Sequence, residues 1–260
     1  MKTLKKIVIV NAIILAAFAL TAFIMESPLK KKTGQTPAAE NGFAVLELFS
    51  SEGCNSCPPA EELLAQINRE FNGKPVYVLA FHVDYFDNLG WKDVFGSPEN
   101  TRRQKKYSSW LNAQVYTPQL VINGSREFIG SDEAEIRTAL NRQLTVKQEG
   151  SLTLTAKNNA GNIDVAYQAT NAADTDDLVI ALIQKEGSSN IIRGENAGRN
   201  LSHIQIVRNL ATVSLKDAKA GATSLGLPKK QDNDNWQVIG FLQNRNTGAI
   251  SAASSVTPTK

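Results

Sequence analysis

The chain has 260 residues, with 28 lysines and arginines against 25 aspartates and glutamates, and a formal net charge of +3. That length provides material for one or two domains with a hydrophobic core. Because the net charge is small and the basic residues are scattered along the chain, the composition does not indicate a nucleic-acid-binding protein.

The first 41 residues have the pattern of a targeting segment followed by a linker. Three lysines within the first six residues precede an apolar run from 7 to 25, which predicts an export signal. The run is also close to the ~20 residues that span a bilayer. We therefore expect residues 1–25 to be a cleaved signal peptide or an N-terminal membrane anchor, and residues 26–41, with two prolines and a glycine, to be a linker. The expected location is the periplasm or cell envelope, with the protein secreted or membrane-anchored.

The only two cysteines, Cys54 and Cys57, form a C-x-x-C motif. An apolar, strand-like run at 43–49 precedes the motif, and a helical pattern at 60–71 follows it. A strand, a turn carrying C-x-x-C and a helix is the context of a redox-active cysteine pair. The N-terminus of a helix stabilises a thiolate, which lowers the thiol pKa and makes the cysteine a nucleophile.

Two other interpretations of the cysteines remain open from the residues alone. C-x-x-C can be half of a zinc site, although no second cysteine pair exists and the two histidines, His82 and His203, are far apart in sequence. A structural disulfide is the other interpretation, although a bridge that closes so short a loop stabilises little.

Three further residues near predicted strands are candidates for supporting roles. Glu47 interrupts the first strand and is either a solvent-facing strand residue or a carboxylate near the thiols. The apolar run 76–81 predicts a strand buried on both faces, and it leads directly into His82 and Asp84. Ligand sites of open α/β sheets lie beyond the carboxyl ends of strands. His82 is therefore either a packed, hydrogen-bonded residue or a proton shuttle for the thiols.

Thr117 and Pro118 precede a third apolar strand, 119–122, which ends in Asn123-Gly124. Proline cannot donate to a strand ladder and is found at strand starts. Asn-Gly is a strong hairpin signal, so 126–130 is expected to be the returning strand. A helical pattern from 131 to 143 follows.

The order of these motifs over residues 42–147 resembles a thioredoxin-like domain, a mixed sheet flanked by helices. In that superfamily a cis-proline faces the C-x-x-C pair, and the resemblance gives this role to Pro118, with the Thr117 backbone pairing with bound substrate. More narrowly, the chain resembles a family of secreted proteins known as domain of unknown function 1223. The stretches that match this family are 47–60, 82–85, 89–91, 115–119 and 193–199.

Beyond residue 147 the pattern changes to short apolar runs separated by polar, glycine-containing turns, which is typical of an all-β sandwich. The predicted fold is therefore an α/β thioredoxin-like domain at 42–147, followed by a small all-β sandwich-like domain at 148–260. The polar loop 193–200 is expected to dock the two domains through Glu195 and Arg199, or to be a substrate site.

The predicted function is thiol–disulfide exchange with protein thiols or disulfides. Cys54 would be the nucleophile and Cys57 the resolving thiol. Glu47 or His82 would replace the buried acid of thioredoxin, whose position is occupied here by Leu48. No dissociable cofactor and no metal are expected. The alternatives are a non-catalytic binding module with a structural disulfide, and a copper-handling protein that uses both cysteines and His82.

Overall fold

The computed structural model describes residues 42–228 and 235–260. The predicted signal peptide or anchor and the predicted linker lie outside these residues. Among the described helices, none has the length and apolar character needed to cross a membrane.

The described part of the chain is mostly β-strand. The helices in residues 42–228 and 235–260 are α1 (Pro58–Glu70), α2 (Pro98–Leu111) and α3 (Glu133–Leu144). The strands are β1 (Ala44–Ser50), β2 (Val76–His82), β3 (Gln119–Ile122), β4 (Arg126–Ile129), β5 (Ser151–Asn159), β6 (Asn162–Thr170), β7 (Asp176–Asn190), β8 (Asn200–Ser214), β9 (Ala220–Gly226), β10 (Trp236–Asn244) and β11 (Ile250–Val256).

Eight strands form one mixed sheet in the order β11-β10-β7-β8-β2-β1-β3-β4. The two central pairings, β1 with β2 and β2 with β8, are parallel, and the other pairings are antiparallel. The start of β11 contacts the end of β3, where the Ile250 N–H donates to the Asn123 carbonyl at 3.0 Å. The strands β5, β6 and β9 form a separate antiparallel sheet.

Alternation along β1 separates two cores. Val45 and Phe49 join an aromatic core that includes residues of β7 and β10 and Tyr107 of α2. Leu46 and Leu48 point the other way and pack with the buried faces of α1 and α3. This alternation is the expected consequence of the two-residue period of a strand. It places α1, and with it the cysteine motif, on one defined face of the large sheet.

A third core joins the two sheets. Leu152 and Leu154 of β5 alternate with exposed residues and pack against Leu178, Ile180 and Leu182 of β7. The small sheet therefore covers the large one at the β7 and β10 end.

The predicted fold class is wrong. Strands β7, β8, β10 and β11, which follow residue 147, join the same sheet as β1–β4 instead of forming a small sandwich of their own. The eight-stranded mixed sheet is not a thioredoxin-like α/β domain. The link is the parallel pairing of β2 with β8, at Ala80 and Ile206. The reason for the error is physical: an apolar run predicts a buried strand, but it does not specify which distant strand supplies its neighbour. The boundary predicted after residue 147 lies in the connection between α3 and β5.

Candidate functional site

Cys54 and Cys57 form a disulfide at the start of α1. Two prolines occupy the first helical positions after Cys57, where a missing N–H is tolerated. Cys57 is the N-cap residue, and its carbonyl accepts hydrogen bonds from the Ala60 and Glu61 N–H groups at 3.0 and 3.2 Å. Cys54 is 3 % exposed and Cys57 is 0 % exposed, so both cysteines are buried and Cys54 is slightly the more accessible of the two.

The ends of three strands surround the disulfide. Ser50 and His82 are paired at the carboxyl ends of the parallel strands β1 and β2. The Thr117–Pro118 peptide is cis, which confirms the cis-proline that the resemblance implied. Phe49 pairs with Gln119, so Pro118 lies beside the end of β1.

Gly130 lies between Pro118 and the first turn of α1, close to both. A Cβ added at Gly130 would lie 3.0 Å from the Pro118 Cβ and 3.1 Å from the Ala60 Cβ. Ala60 is three residues after Cys57, so the structure brings Pro118 to the first turn of the helix that begins with the disulfide.

Glu47 is neither solvent-facing nor directed toward α1. It is fully buried on the opposite face of β1, where its carboxylate accepts hydrogen bonds from Arg103 Nη2 at 2.9 Å and from the Tyr107 hydroxyl. Gln243 Oε1 accepts from Arg103 Nη1 at 3.2 Å. Burial opposes the charge on Arg103, but Glu47 outweighs burial and raises the Arg103 pKa. Glu47 therefore belongs to a buried ion pair inside the aromatic core.

His82 is held by Asp93, at the end of the loop that follows β2. The His82 Nδ1 donates to Asp93 Oδ2 at 2.8 Å, and the same carboxylate accepts from the backbone N–H groups of Glu52 and Phe95 at 2.9 and 2.8 Å. Burial raises the Asp93 pKa, but His82 and these N–H donors outweigh burial, so the Asp93 pKa is lowered. The other nitrogen, His82 Nε2, is buried and has no hydrogen-bond partner among the described residues.

Asp84 lies apart from this arrangement. The Asp84 carboxylate accepts a hydrogen bond from the Thr101 hydroxyl. The Asp84 backbone N–H donates to the Thr101 hydroxyl oxygen at 3.2 Å. Asp84 therefore anchors the loop after β2 to helix α2.

Three residues near the disulfide were missed from the sequence: Glu52, Glu61 and His203. His203 Nδ1 and the Ser50 hydroxyl bind the Glu61 carboxylate, and His203 Nε2 lies 3.3 Å from Glu52 Oε1. Glu61 could have been found, because it is four residues after Cys57 and therefore on the same helix face. His203 is 142 residues from Glu61 in sequence, and no local signal connects them.

The carboxylates control the charge state of His203. Burial lowers the His203 pKa, but Glu52 and Glu61 outweigh burial and raise this pKa to about 10. Burial raises the Glu61 pKa, but His203 and His82 outweigh burial and lower it. The rings of His82 and His203 meet edge to face, with centroids 4.7 Å apart.

The loop between β7 and β8 covers the cysteine motif. Asn196 Nδ2 donates to the carbonyls of Glu52 and Cys54 at 2.8 and 2.9 Å. The Asn55 N–H donates to Glu195 Oε2 at 3.4 Å, and Arg199 holds the Asn196 side chain at 3.0 Å. Glu195 and Arg199 thus take part in docking this loop, directly onto the cysteine motif.

Comparison with solved structures finds proteins to which this chain is similar to different degrees. A crystal structure of a protein from Agrobacterium tumefaciens matches with a TM-score of 0.64 and 28% identity, over 84% of this chain and 95% of that chain. A domain of the outer membrane lipoprotein Omp28 from Porphyromonas gingivalis has a TM-score of 0.28 at 12% identity, over 43% of this chain and 89% of that chain. A β-glucuronidase from Ruminococcus gnavus has a TM-score of 0.23 at 9% identity, over 42% of this chain and 16% of that chain. The last two likenesses are too weak to carry an argument.

Among proteins with curated descriptions, none matches the chain. The family model described as protein of unknown function, DUF1223, matches residues 45–243. That match contains the cysteine motif, His82, Pro118, the covering loop and His203. The chain belongs to the DUF1223 family of proteins of unknown function.

Proposed function

We propose that the protein is an exported thiol–disulfide oxidoreductase that acts through Cys54 and Cys57 on protein thiols or disulfides. The observation that carries the proposal is the disulfide itself, at the N-terminus of α1, with the titratable Glu61–His203 pair one helical turn away. A helix N-terminus favours a thiolate at Cys57 when the disulfide opens.

The more accessible cysteine, Cys54, reacts first with the substrate. A substrate thiolate attacks Cys54 Sγ, the Cys54–Cys57 bond breaks, and its electron pair leaves on Cys57 as a thiolate. A second substrate thiolate then attacks the substrate sulfur of the mixed disulfide and releases Cys54. The substrate gains a disulfide while both cysteines are reduced, and the reverse sequence reduces a substrate disulfide. Glu61 lies on the helix face of Cys57 and binds His203, which comes from β8.

Exposed apolar side chains around the disulfide favour a protein substrate over a small molecule. Leu89 is 60 % exposed and Ile192 is 73 % exposed, on the two loops that flank the motif. These loops meet where the Cβ position of Gly90 is 3.7 Å from Gly194. An unfolded or extended partner chain can bury such side chains while its thiol approaches Cys54. In this proposal, the Thr117 backbone beside Pro118 positions the partner chain.

The test is the trapping of a mixed disulfide. A Cys57→Ser variant keeps Cys54 but lacks the resolving thiol, so it is expected to accumulate mixed disulfides that mass spectrometry can identify. The Cys54→Ser variant is the matched control and should trap less, since Cys57 is the less accessible of the two buried cysteines. The reduction potential, measured in glutathione buffers, decides the alternative: a value below roughly −300 mV together with no insulin or peptide turnover indicates a structural bridge.

Export needs its own test. The full chain, with residues 1–41, is expected to fractionate with the periplasm or envelope and to carry the oxidised pair. Recovery in the cytoplasm with both thiols reduced contradicts the export part of the proposal.

A further inference from the structure

We propose that Glu61, His82 and His203, with Glu52 as an additional ligand, bind a divalent transition-metal cation of the zinc type. One ring nitrogen of each histidine and one carboxylate oxygen of Glu61 lie within 4.8 Å of one another. These residues come from α1, β2 and β8, so the site exists only in the folded sheet. The inference does not depend on the redox function.

A buried nitrogen without a partner indicates that this cluster is built for a ligand. His82 Nε2 is buried and makes no hydrogen bond among the described residues. His203 Nε2 and Glu52 Oε1 are also buried, and they face each other as an ion pair at 3.3 Å. Each residue is at most 2 % exposed. A buried polar group without a partner destabilises a fold, so His82 Nε2 needs an explanation. A cation that accepts its lone pair supplies it.

Asp93 prepares His82 for metal binding. It accepts the proton of His82 Nδ1 at 2.8 Å, which leaves the lone pair on Nε2. Two backbone N–H groups, from Glu52 and Phe95, fix the Asp93 carboxylate in turn. A carboxylate that orients a histidine through its second nitrogen is the usual outer partner of a metal-ligating histidine.

The donor types select the class of cation. Two imidazoles with carboxylates suit Zn²⁺ and neighbouring transition metals, whereas Mg²⁺ and Ca²⁺ prefer oxygen ligands alone. Bonds of about 2.0–2.1 Å put tetrahedral donors roughly 3.4 Å apart, so the cluster needs only side-chain adjustments to close around an ion. The Glu61 side chain is 12 % exposed and connects the cluster to solvent.

The experiment uses the disulfide-bonded full chain with a histidine-free affinity tag, because the protein has only two histidines. ¹⁵N-histidine labelling then gives a spectrum of two imidazoles. After treatment with a chelator, Zn²⁺ is titrated by calorimetry and NMR. We expect one ion per chain and shifts of both imidazole spectra. Unshifted imidazoles, or no saturable binding, overturn the proposal without requiring any variant to fold.

Variants separate this site from the cysteines. Asp93→Asn is expected to weaken Zn²⁺ binding by about 10–100-fold, the usual effect of losing an outer partner. Glu99→Gln removes an exposed carboxylate of α2 and should change nothing. The double variant Cys54→Ser, Cys57→Ser should still bind Zn²⁺. A double variant that keeps its circular dichroism spectrum and its unfolding transition but loses Zn²⁺ binding refutes the proposed site, while the redox proposal is tested separately by mixed-disulfide trapping.

Discussion

Asn196→Ala is expected to open the covering loop and to speed chemical reduction of the disulfide. Asn196 is buried, and its Nδ2 donates to two carbonyls, those of Glu52 and Cys54, at 2.8 and 2.9 Å. A hydrogen bond contributes about 1 kcal/mol net, so losing two favours the open loop by about 2 kcal/mol. Since 1.4 kcal/mol is tenfold, the open population and the reduction rate should rise about 30-fold.

The assay follows reduction by excess dithiothreitol, with free thiols trapped by a maleimide and counted by mass. Arg193→Ala is the matched control, because Arg193 is exposed on the same loop. Low urea distinguishes loop opening from global unfolding, since a local opening exposes little surface and its rate depends weakly on urea. An unchanged rate in Asn196→Ala, or a rate that tracks global unfolding, refutes the idea that this loop limits access to Cys54.

Three further predictions concern stability. Glu47→Gln is expected to lower the free energy of unfolding by about 3–5 kcal/mol, because it leaves Arg103 buried without its partner. The disulfide potential should not change, and a changed potential would contradict the purely structural role. Gly130→Ala should cost about 1–3 kcal/mol, since its Cβ would lie 2.8 Å from a leucine methyl group. Gly226→Ala, whose Cβ meets nothing closer than 3.7 Å, is its control in thermal unfolding. In the metal-free protein, stability should fall as pH rises toward 10, and His203→Gln should abolish this dependence.

The sign of the last prediction follows from the His203 pKa. The carboxylates of Glu52 and Glu61 raise it from 6.5 to about 10 in the folded state. The stabilisation is therefore complete below 6.5 and is lost as pH rises through the folded-state pKa. His82 also contacts the His203 ring, but it is present both in the unaltered protein and in the His203→Gln variant, so the comparison isolates His203. Urea unfolding between pH 6 and pH 10 measures the difference.

Part of the candidate site could be predicted from neighbouring residues in sequence. The spacing of Cys54 and Cys57 and the helix after them predicted a redox-active pair at a helix start. The disulfide is confirmed, and the redox activity stays a prediction. The cis peptide at Pro118 followed from the family resemblance and is also confirmed. His82 was recognised as either packed or functional, and its bond to Asp93 shows how it is held.

By itself, the sequence determined most of the individual strands, the helix that follows the cysteine motif and the proline-led strand β3. These features depend on side-chain periodicity, helix starts and turn residues, which act over a few neighbouring positions. Only the tertiary structure decided that β8 pairs with β2. That pairing makes one sheet from the two predicted domains' strands and places His203 against Glu61. Contacts between residues more than a hundred positions apart depend on which apolar faces are buried together, and no local pattern encodes that choice.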